Sequence, residues 1–209
     1  MSYIAKIRID RASVSLLPWY IKFILRGNRK CFNIFTHLTK VEKLLLYKVA
    51  LSLPRNCTIV EIGSYLGASS SFLASAAKEK NGTLYCIDTW KNEAMDEAPR
   101  DTYGQFIQNT KHYKNWIVPM RGKSVEVAKD FNKDIDMLFI DGDHSYQAVK
   151  ADVDAWFPKL KNGAIVVFHD CGWAEGVQKV IEEIVKSMQI GKGNALPNIY
   201  WAKIRNHEF

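Results

Sequence analysis

Residues 60–74, VEIGSYLGASSSFLA, join an apolar strand to a helix through a glycine turn. The β-branched run before the turn predicts a buried strand, and the small residues after it predict a helix. Gly63 and Gly67 allow a ligand to approach the backbone closely at the helix N-terminus. Tyr65 stands between them, where a dinucleotide-binding turn has a glycine beside the pyrophosphate. The stretch therefore favours a nucleoside ligand that lacks a pyrophosphate.

The alternation of apolar strands with helices continues along the chain. Strands are predicted at CTIVEIG, TLYCIDTW, IVPMRGKS, IDMLFIDGDH and GAIVVFHD. Right-handed crossovers between such strands give a doubly wound α/β sheet with helices on both faces. The last predicted strand, NIYWAKIR, alternates apolar and polar residues, which is typical of an antiparallel edge strand.

The net charge of +7 comes from one segment of the chain. Residues 1–40 hold eight Lys and Arg against one acid, whereas the rest of the chain holds 21 of each sign. The apolar part of this segment is shorter than the roughly 20 residues of a membrane span. It also lacks the cleavage site of a signal peptide. We therefore expect residues 1–37 to form a basic extension of a domain that covers residues 38–209.

The basic extension allows two kinds of contact. It packs as a helix on the domain or on a second copy in a homo-oligomer, or it lies peripherally on an anionic membrane. Four scattered cysteines predict free thiols and a cytoplasmic protein, at the inner membrane face if the extension binds lipid. The domain itself is neutral, which disfavours nucleic acid as a partner.

Polar side chains follow the predicted strands at their carboxyl ends, where ligands bind in such sheets. These strand ends carry a set of titratable residues: Glu61, Asp88, Asp141, His144, His169 and Asp170. Asp88, at the end of the second strand, can accept both hydroxyls of a ribose. Together with Tyr65, this acid favours S-adenosylmethionine over a dinucleotide.

Five ordered stretches together resemble the class I S-adenosylmethionine-dependent methyltransferases: VEIGSYLGASS, LYCIDTW, PMRGKS, DMLFIDGDHSYQAVKADVDAW and LKNGAIVVFHD. Over residues 38–205 they are similar to the bacterial group that includes macrolide-sugar O-methyltransferases and cephalosporin hydroxylase-like proteins. The resemblance implies a mostly parallel, seven-stranded Rossmann-like sheet with an antiparallel edge strand. It also implies an S-adenosylmethionine site formed by ten residues: Glu61, Gly63, Ser64, Tyr65, Gly67, Asp88, Thr89, Trp90, Gly122 and Ser124.

The resemblance places the reaction at the ends of the fourth and fifth strands. Metal-dependent O-methyltransferases of this fold bind a divalent ion there, and Asp141, His169 and Asp170 would hold it in this chain. His144 and Asp141 would be catalytic, with His144 as the base. His169 stands where those relatives have an acid. The ion is therefore Mg²⁺, or Mn²⁺ or another ion that accepts an imidazole nitrogen, or His169 only orients Asp170.

We therefore expect an enzyme that methylates a hydroxyl of a sugar or another small molecule. Two alternatives stay open: a non-methylating, metal-dependent hydroxylase-like homologue, and a non-catalytic protein that binds S-adenosylmethionine. Three variable segments are expected to shape the acceptor pocket: the N-terminal arm, residues 91–101 and residues 190–197. Asp143 is expected to cap the next helix, and Asp152 and Asp154 are expected on the solvated face of that helix.

Overall fold

The computed structural model describes residues 11–91 and 98–205. Part of the basic extension, residues 1–10, and part of the predicted variable segment, residues 92–97, lie outside the described residues. The strands are β1 (Thr58–Ile62), β2 (Thr83–Asp88), β3 (Ile117–Arg121), β4 (Ile135–Ile140), β5 (Leu160–His169), β6 (Gln189–Leu196) and β7 (Ile199–Ile204). The helices are α1 (Arg11–Leu25), α2 (Lys40–Leu51), α3 (Ala68–Lys80), α4 (Tyr103–Thr110), α5 (Ser124–Asp130), α6 (Tyr146–Trp156), α7 (Glu175–Val180) and α8 (Lys186–Met188).

The strands form one seven-stranded sheet in the order β3-β2-β1-β4-β5-β7-β6. The first five strands pair in parallel, and β7 pairs antiparallel with β5 and with β6. The predicted mostly parallel sheet is thereby confirmed, with its antiparallel pairing at one edge. The alternating strand β7 lies second from that edge, and β6 takes the edge itself. Residues 190–197, predicted as a variable segment, have no strand-like pattern, but most of them lie in β6. An edge strand with exposed side chains needs no apolar alternation.

Helices cover both faces of the sheet and bury its apolar strands, among which β4 is buried at every residue. Two helix starts are fixed by local capping. Thr39 caps α2 in a capping box with Glu42, and Ser145 caps α6 through its side chain. Asp143, which was predicted to be the cap of α6, instead accepts a hydrogen bond from the Ser145 amide at 2.7 Å. That bond supports the turn into the helix, while the Ser145 hydroxyl meets the helix amides.

Helix α1 of the basic extension packs on the domain. Phe23 is fully buried, and its ring stacks on that of Phe72 in α3 at a centroid distance of 4.1 Å. The opposite face of α1 leaves Leu17, Ile21 and Leu25 exposed. Within the described part of the chain, the helices are all too short or too polar to cross a membrane.

Candidate active site

A cleft of about 840 Å³ opens at the carboxyl ends of the parallel strands. One part, the glycine-turn half, is formed by residues 63–66, 68–69, 88–89, 122–125, 148 and 151–152. The other, the histidine half, is formed by five residues: Asp141, His144, His169, Asp170 and Trp173. A cleft of this size holds a nucleoside cofactor together with a small second ligand.

The turn after β1 requires glycine where it passes β4. Gly63 has φ 84°, and a Cβ there would lie 2.0 Å from the backbone oxygen of Asp141. Gly67 also has a positive φ, of 85°, and forms the N-cap of α3. The tight turn brings the start of α3 and the end of β4 to the same cleft, as the sequence predicted.

Asp88 holds the glycine turn through backbone hydrogen bonds. Its Oδ2 accepts from the amides of Ser64 and Tyr65 at 2.9 and 2.8 Å, and its Oδ1 accepts from the Trp90 amide at 2.6 Å. A carboxylate has about four acceptor positions, so Asp88 retains capacity for a ligand hydroxyl. Asp88 therefore lies where the sequence predicted it, and it also shapes the turn.

Tyr65 is accommodated because its backbone, rather than its side chain, faces the interior of the turn. It adopts φ 44°, and its carbonyl accepts a hydrogen bond from the Trp90 ring nitrogen at 3.0 Å. Its ring lies at the mouth of the cleft near Phe35, at a centroid distance of 6.4 Å. Its hydroxyl accepts from Arg100 at 3.3 Å. The side chain thus narrows the entrance to the cleft without filling its floor.

Seven of the ten predicted cofactor residues line the cleft, and Glu61, Gly67 and Trp90 do not. The structure places Trp90 in the core instead of beside the ligand. Its φ of 51° turns the side chain away from the cleft, and its fully buried ring packs on Tyr103 and Phe106. Trp90 thus acts on the cleft only through its hydrogen bond to the turn.

Glu61 is fully buried beneath the glycine turn. It accepts hydrogen bonds from the hydroxyls of Ser64 and Ser70 and from the Cys86 thiol. Its other oxygen, Oε1, has no partner among the described residues. Burial raises the pKa of Glu61 to about 7, although the serine hydroxyls oppose that shift. Contact between Glu61 and the cofactor stays a prediction, and the structure shows this acid closing the turn from below.

Asp152 differs from its expected place. It was predicted on a solvated face of α6, but it is only 7% exposed and lines the glycine-turn half. Val149 and Val153, which are fully or almost fully buried, lie on the same face of α6. The 3.6-residue period therefore carried the signal for burial. Asp154 lies on the exposed side and pairs with Lys150 at 2.5 Å, as expected.

In the histidine half, His169 lies among three carboxylates and is almost fully buried. Its Nδ1 is 3.0 Å from Asp141 Oδ1 and 3.2 Å from Asp170 Oδ2. Its Nε2 is 3.6 Å from Oε2 of Glu42, at the start of α2. Burial alone would lower the pKa of His169, but hydrogen bonds to these carboxylates outweigh it and raise the pKa to about 12. The sequence contains the Thr-x-x-Glu capping pattern of α2, but nothing in it linked Glu42 to His169.

His144 and Asp170 form the second pair of the histidine half. His144 Nε2 lies 2.7 Å from Asp170 Oδ2, and this hydrogen bond raises the pKa of His144. Asp170 also accepts from the ring nitrogen of Trp173 at 2.8 Å and from the amide of Asn198 at 3.0 Å. Burial would raise the pKa of Asp170, but its hydrogen bonds with both histidines lower it instead. The predicted residues meet here, whereas Trp173 and Asn198 belong to no predicted motif.

The predicted metal ligands lie close enough to share one ion. The ligand atoms of Asp141, His169 and Asp170 are all within 4.8 Å of one another. Neighbouring ligands of one ion lie about 3 Å apart when metal–ligand bonds are about 2.1 Å long. The distances from His169 Nδ1 to the two carboxylates match that separation. The donor set of two carboxylates and one imidazole thus fits a divalent ion that accepts nitrogen.

Comparisons with known proteins show what this chain is similar to. A family model described as a methyltransferase domain matches residues 60–171. Uncharacterized protein y4gI of Sinorhizobium fredii is 28% identical over 155 residues, and uncharacterized protein R132 of Acanthamoeba polyphaga mimivirus is 30% identical over 144 residues. These alignments cover 69% and 65% of this chain, but only 17% and 62% of the two relatives. The chain thus spans less than two thirds of either relative.

Among solved structures, a similar fold occurs in apo CalS11, a TDP-rhamnose 3'-O-methyltransferase of calicheamicin biosynthesis. The two chains are 14% identical and superpose with a TM-score of 0.63, over 93% of this chain and 95% of CalS11. At this identity the likeness shows a shared fold.

Proposed function

The chain belongs to the methyltransferase-domain family of class I S-adenosylmethionine-dependent enzymes, and on that premise we propose that it methylates a hydroxyl of a small-molecule acceptor, such as a sugar. The observation that carries this proposal is the contact between His144 and Asp170 in a cleft that Asp88 also lines. A cofactor site and a candidate base thereby share one cavity.

The glycine-turn half fits the cofactor. The methionine end would lie along residues 63–69, and Asp88 would accept the ribose hydroxyls with its remaining acceptor positions. The adenine would lie against residues 122–125. When bound, S-adenosylmethionine supplies a methyl group on a positively charged sulfur.

His144 would remove the proton of the acceptor hydroxyl. In neutral His144 the ring hydrogen lies on Nε2, because this atom is 2.7 Å from the Asp170 carboxylate. The lone pair of Nδ1 is then left for the acceptor. The bound cofactor would supply its methyl group to the acceptor oxygen, with the electron pair of the carbon–sulfur bond left on sulfur. His144 Nδ1 would take up the hydroxyl proton. Most of the rate enhancement would come from alignment of the two reactants in the cleft.

A divalent ion would be held by Asp141, His169 and Asp170, next to His144. Such an ion would polarise the acceptor hydroxyl and lower its pKa. Binding of the ion would release the proton of His169, because a ligating imidazole must be neutral. In the structure, Glu42 contacts His169, while His144 and Asn198 contact Asp170. Asp141 is held by its contact with His169.

The entrance of the cleft favours an acceptor with an apolar face. Phe35 and Trp173 line the cleft and are 55% and 61% exposed. The ring of Tyr65, in the glycine turn, lies near that of Phe35. Aromatic faces of this kind pack against sugar rings and phenols. The name of CalS11 as a TDP-rhamnose 3'-O-methyltransferase supports a sugar acceptor. Contact of residues 1–37 with an anionic membrane, and association into a homo-oligomer, stay predictions.

The direct test is methyl transfer from S-adenosylmethionine with a radioactive methyl group to a panel of nucleotide sugars, free sugars and phenols. We expect His144→Asn to lower turnover about 10²- to 10⁴-fold, because it removes the base. The matched control His112→Asn, at an exposed histidine that does not line the cleft, should keep full turnover. An EDTA arm measures the share of the rate that depends on a divalent ion.

Two results would contradict the proposal. One is a wild-type protein that binds no S-adenosylmethionine with or without added Mn²⁺. The other is a His144→Asn variant that transfers the label as fast as the wild-type protein.

A further inference from the structure

Asp152 is a buried carboxylate on the wall of the glycine-turn half. It lies on α6 beside Ala148 and Ala151, and these residues line the cleft together with residues 122–125. The side chains at Gly122, Ala148 and Ala151 are absent or small. This part of the cleft wall is therefore lined by few bulky side chains.

The surroundings of Asp152 offer its carboxylate a hydroxyl donor but, among the described residues, no cationic partner. Among the described residues, no Lys or Arg forms an ion pair with it. The Ser124 hydroxyl stabilises its charged form, but burial and the nearby Asp143 carboxyl outweigh this and raise the pKa of Asp152 to about 6. The Trp156 ring nitrogen donates to Ser124 Oγ at 2.7 Å, so the Ser124 hydrogen is free to point at Asp152. A ligand that brought N–H donors to this carboxylate would replace the hydrogen bonds that it lost on leaving water.

The position of Asp152 indicates which part of the cofactor it would meet. The Gly122 amide donates to the Asp88 backbone oxygen at 2.9 Å, so the ends of β2 and β3 adjoin. With the ribose on Asp88, the adenine would be the next group along the cleft, between residues 122–125 and the wall formed by Ala148, Ala151 and Asp152. The group at the rim of adenine that donates hydrogen bonds is its 6-amino group.

We propose that Asp152 accepts a hydrogen bond from the 6-amino group of the cofactor's adenine and makes the site selective for a 6-amino over a 6-oxo purine. This inference rests on the proposed function, because it assumes that S-adenosylmethionine occupies the cleft. A site built to pair with an N–H group rejects the analogue that lacks it, because the buried acceptor is then left unpaired.

The test compares S-adenosylhomocysteine with S-inosylhomocysteine by isothermal titration calorimetry at pH 7.5. The second ligand has a 6-oxo group in place of the 6-amino group and a hydrogen on the neighbouring N1. We expect the wild-type protein to bind the 6-amino ligand at least tenfold more tightly. Asp152→Asn should reduce this ratio to about one or invert it, since the amide can donate to a 6-oxo group. The matched control is Asp154→Asn, two residues along α6 at an exposed acid paired with Lys150. It should keep the wild-type ratio.

Equal affinity of the wild-type protein for the two ligands would overturn the inference, whatever the variants do. An Asp152→Asn variant that keeps its thermal unfolding transition and the wild-type ratio would also overturn it. In both cases the proposed function stands, because the cofactor product still binds. A wild-type protein that binds neither ligand would overturn the proposed function, and this inference with it.

Discussion

The two halves of the cleft treat their buried acids differently. Two buried acids lie at the glycine-turn half: Asp152 on its wall and Glu61 beneath the turn. They face hydroxyl and thiol donors but no cation among the described residues, and burial raises the pKa of both. In the histidine half, both acids face an imidazole. The two histidines lower the pKa of Asp170 against the effect of burial. Burial outweighs the hydrogen bond with His169 at Asp141 and raises the pKa of that acid. Acids without a cation suit neutral donors on a ligand, whereas acids paired with histidines suit proton transfer or metal binding. The contrast suggests a division of labour between cofactor binding and chemistry.

The strongest way to break this contrast is to remove His169. His169→Ala leaves Asp141 and Glu42 buried without their cationic partner, so we expect a loss of about 3–5 kcal/mol in the free energy of unfolding. Urea denaturation in the presence of EDTA measures this loss without a contribution from bound metal. The control His112→Ala, at an exposed position, should change stability by less than about 0.5 kcal/mol. A His169→Ala variant as stable as this control would show that the carboxylates do not need the imidazole.

The next prediction concerns how Glu61 makes stability depend on pH. Its contribution to stability falls as the pH rises, whereas that of an acid paired with a cation falls as the pH drops. In the unfolded chain its carboxyl ionises near its ordinary pKa of 4.5, whereas in the folded protein it stays protonated up to about 7. Its contribution to stability is therefore present below pH 4.5 and is lost as the pH rises to about 7. Linkage puts this loss at up to about 3 kcal/mol.

Glu61→Gln cannot ionise, so it should remove this part of the pH dependence. Urea denaturation at pH 5 and pH 8 compares the drop in stability between wild-type protein and variant. Glu126→Gln, at an exposed glutamate, serves as the control and should show the wild-type drop. If the Glu61→Gln variant loses as much stability as the wild-type protein between these pH values, the carboxylate is not desolvated as the structure indicates.

The smallest effect sharpens the contrast at the entrance of the histidine half. Trp173→Ala removes an exposed ring, which should raise the acceptor KM about fivefold, corresponding to about 1 kcal/mol of aromatic contact. Affinity for S-adenosylhomocysteine should stay within twofold. Trp173→Phe keeps a ring but not the hydrogen bond to Asp170, so it should restore the acceptor KM. Steady-state kinetics with the best acceptor would contradict this role if Trp173→Ala altered only cofactor affinity.

The glycine-turn half could largely be predicted from the sequence because its signals are local. The turn at residues 63–67 and the acid at Asp88 follow apolar strands directly, and strand order then brings them together. Trp90 and Asp152 show where this reasoning fails. Trp90 has a φ of 51°, which the sequence does not reveal, and its side chain lies in the core. Asp152 was expected to be exposed because it is an acid, although it shares the buried face of α6 with Val149 and Val153.

The histidine half could be predicted only in part, because it is built by contacts distant in sequence. Its four strand-end residues lie at or just after the ends of β4 and β5, which are neighbouring parallel strands. Their proximity could therefore be predicted. Glu42 reaches His169 from α2, and Asn198 reaches Asp170 from the segment between β6 and β7. Neither residue has a sequence pattern of its own that points to the site, since only the folded arrangement brings it there.

The central claim, that one half of the cleft binds the cofactor and the other performs the chemistry, is tested most directly by calorimetric titration of S-adenosylhomocysteine into two variants. Asp88→Asn should weaken binding at least tenfold, because it removes part of the carboxylate that holds the turn and the ribose. His144→Asn should bind within twofold of the wild-type protein, although it loses methyl transfer. The opposite pattern, with binding lost in His144→Asn and kept in Asp88→Asn, would contradict the account.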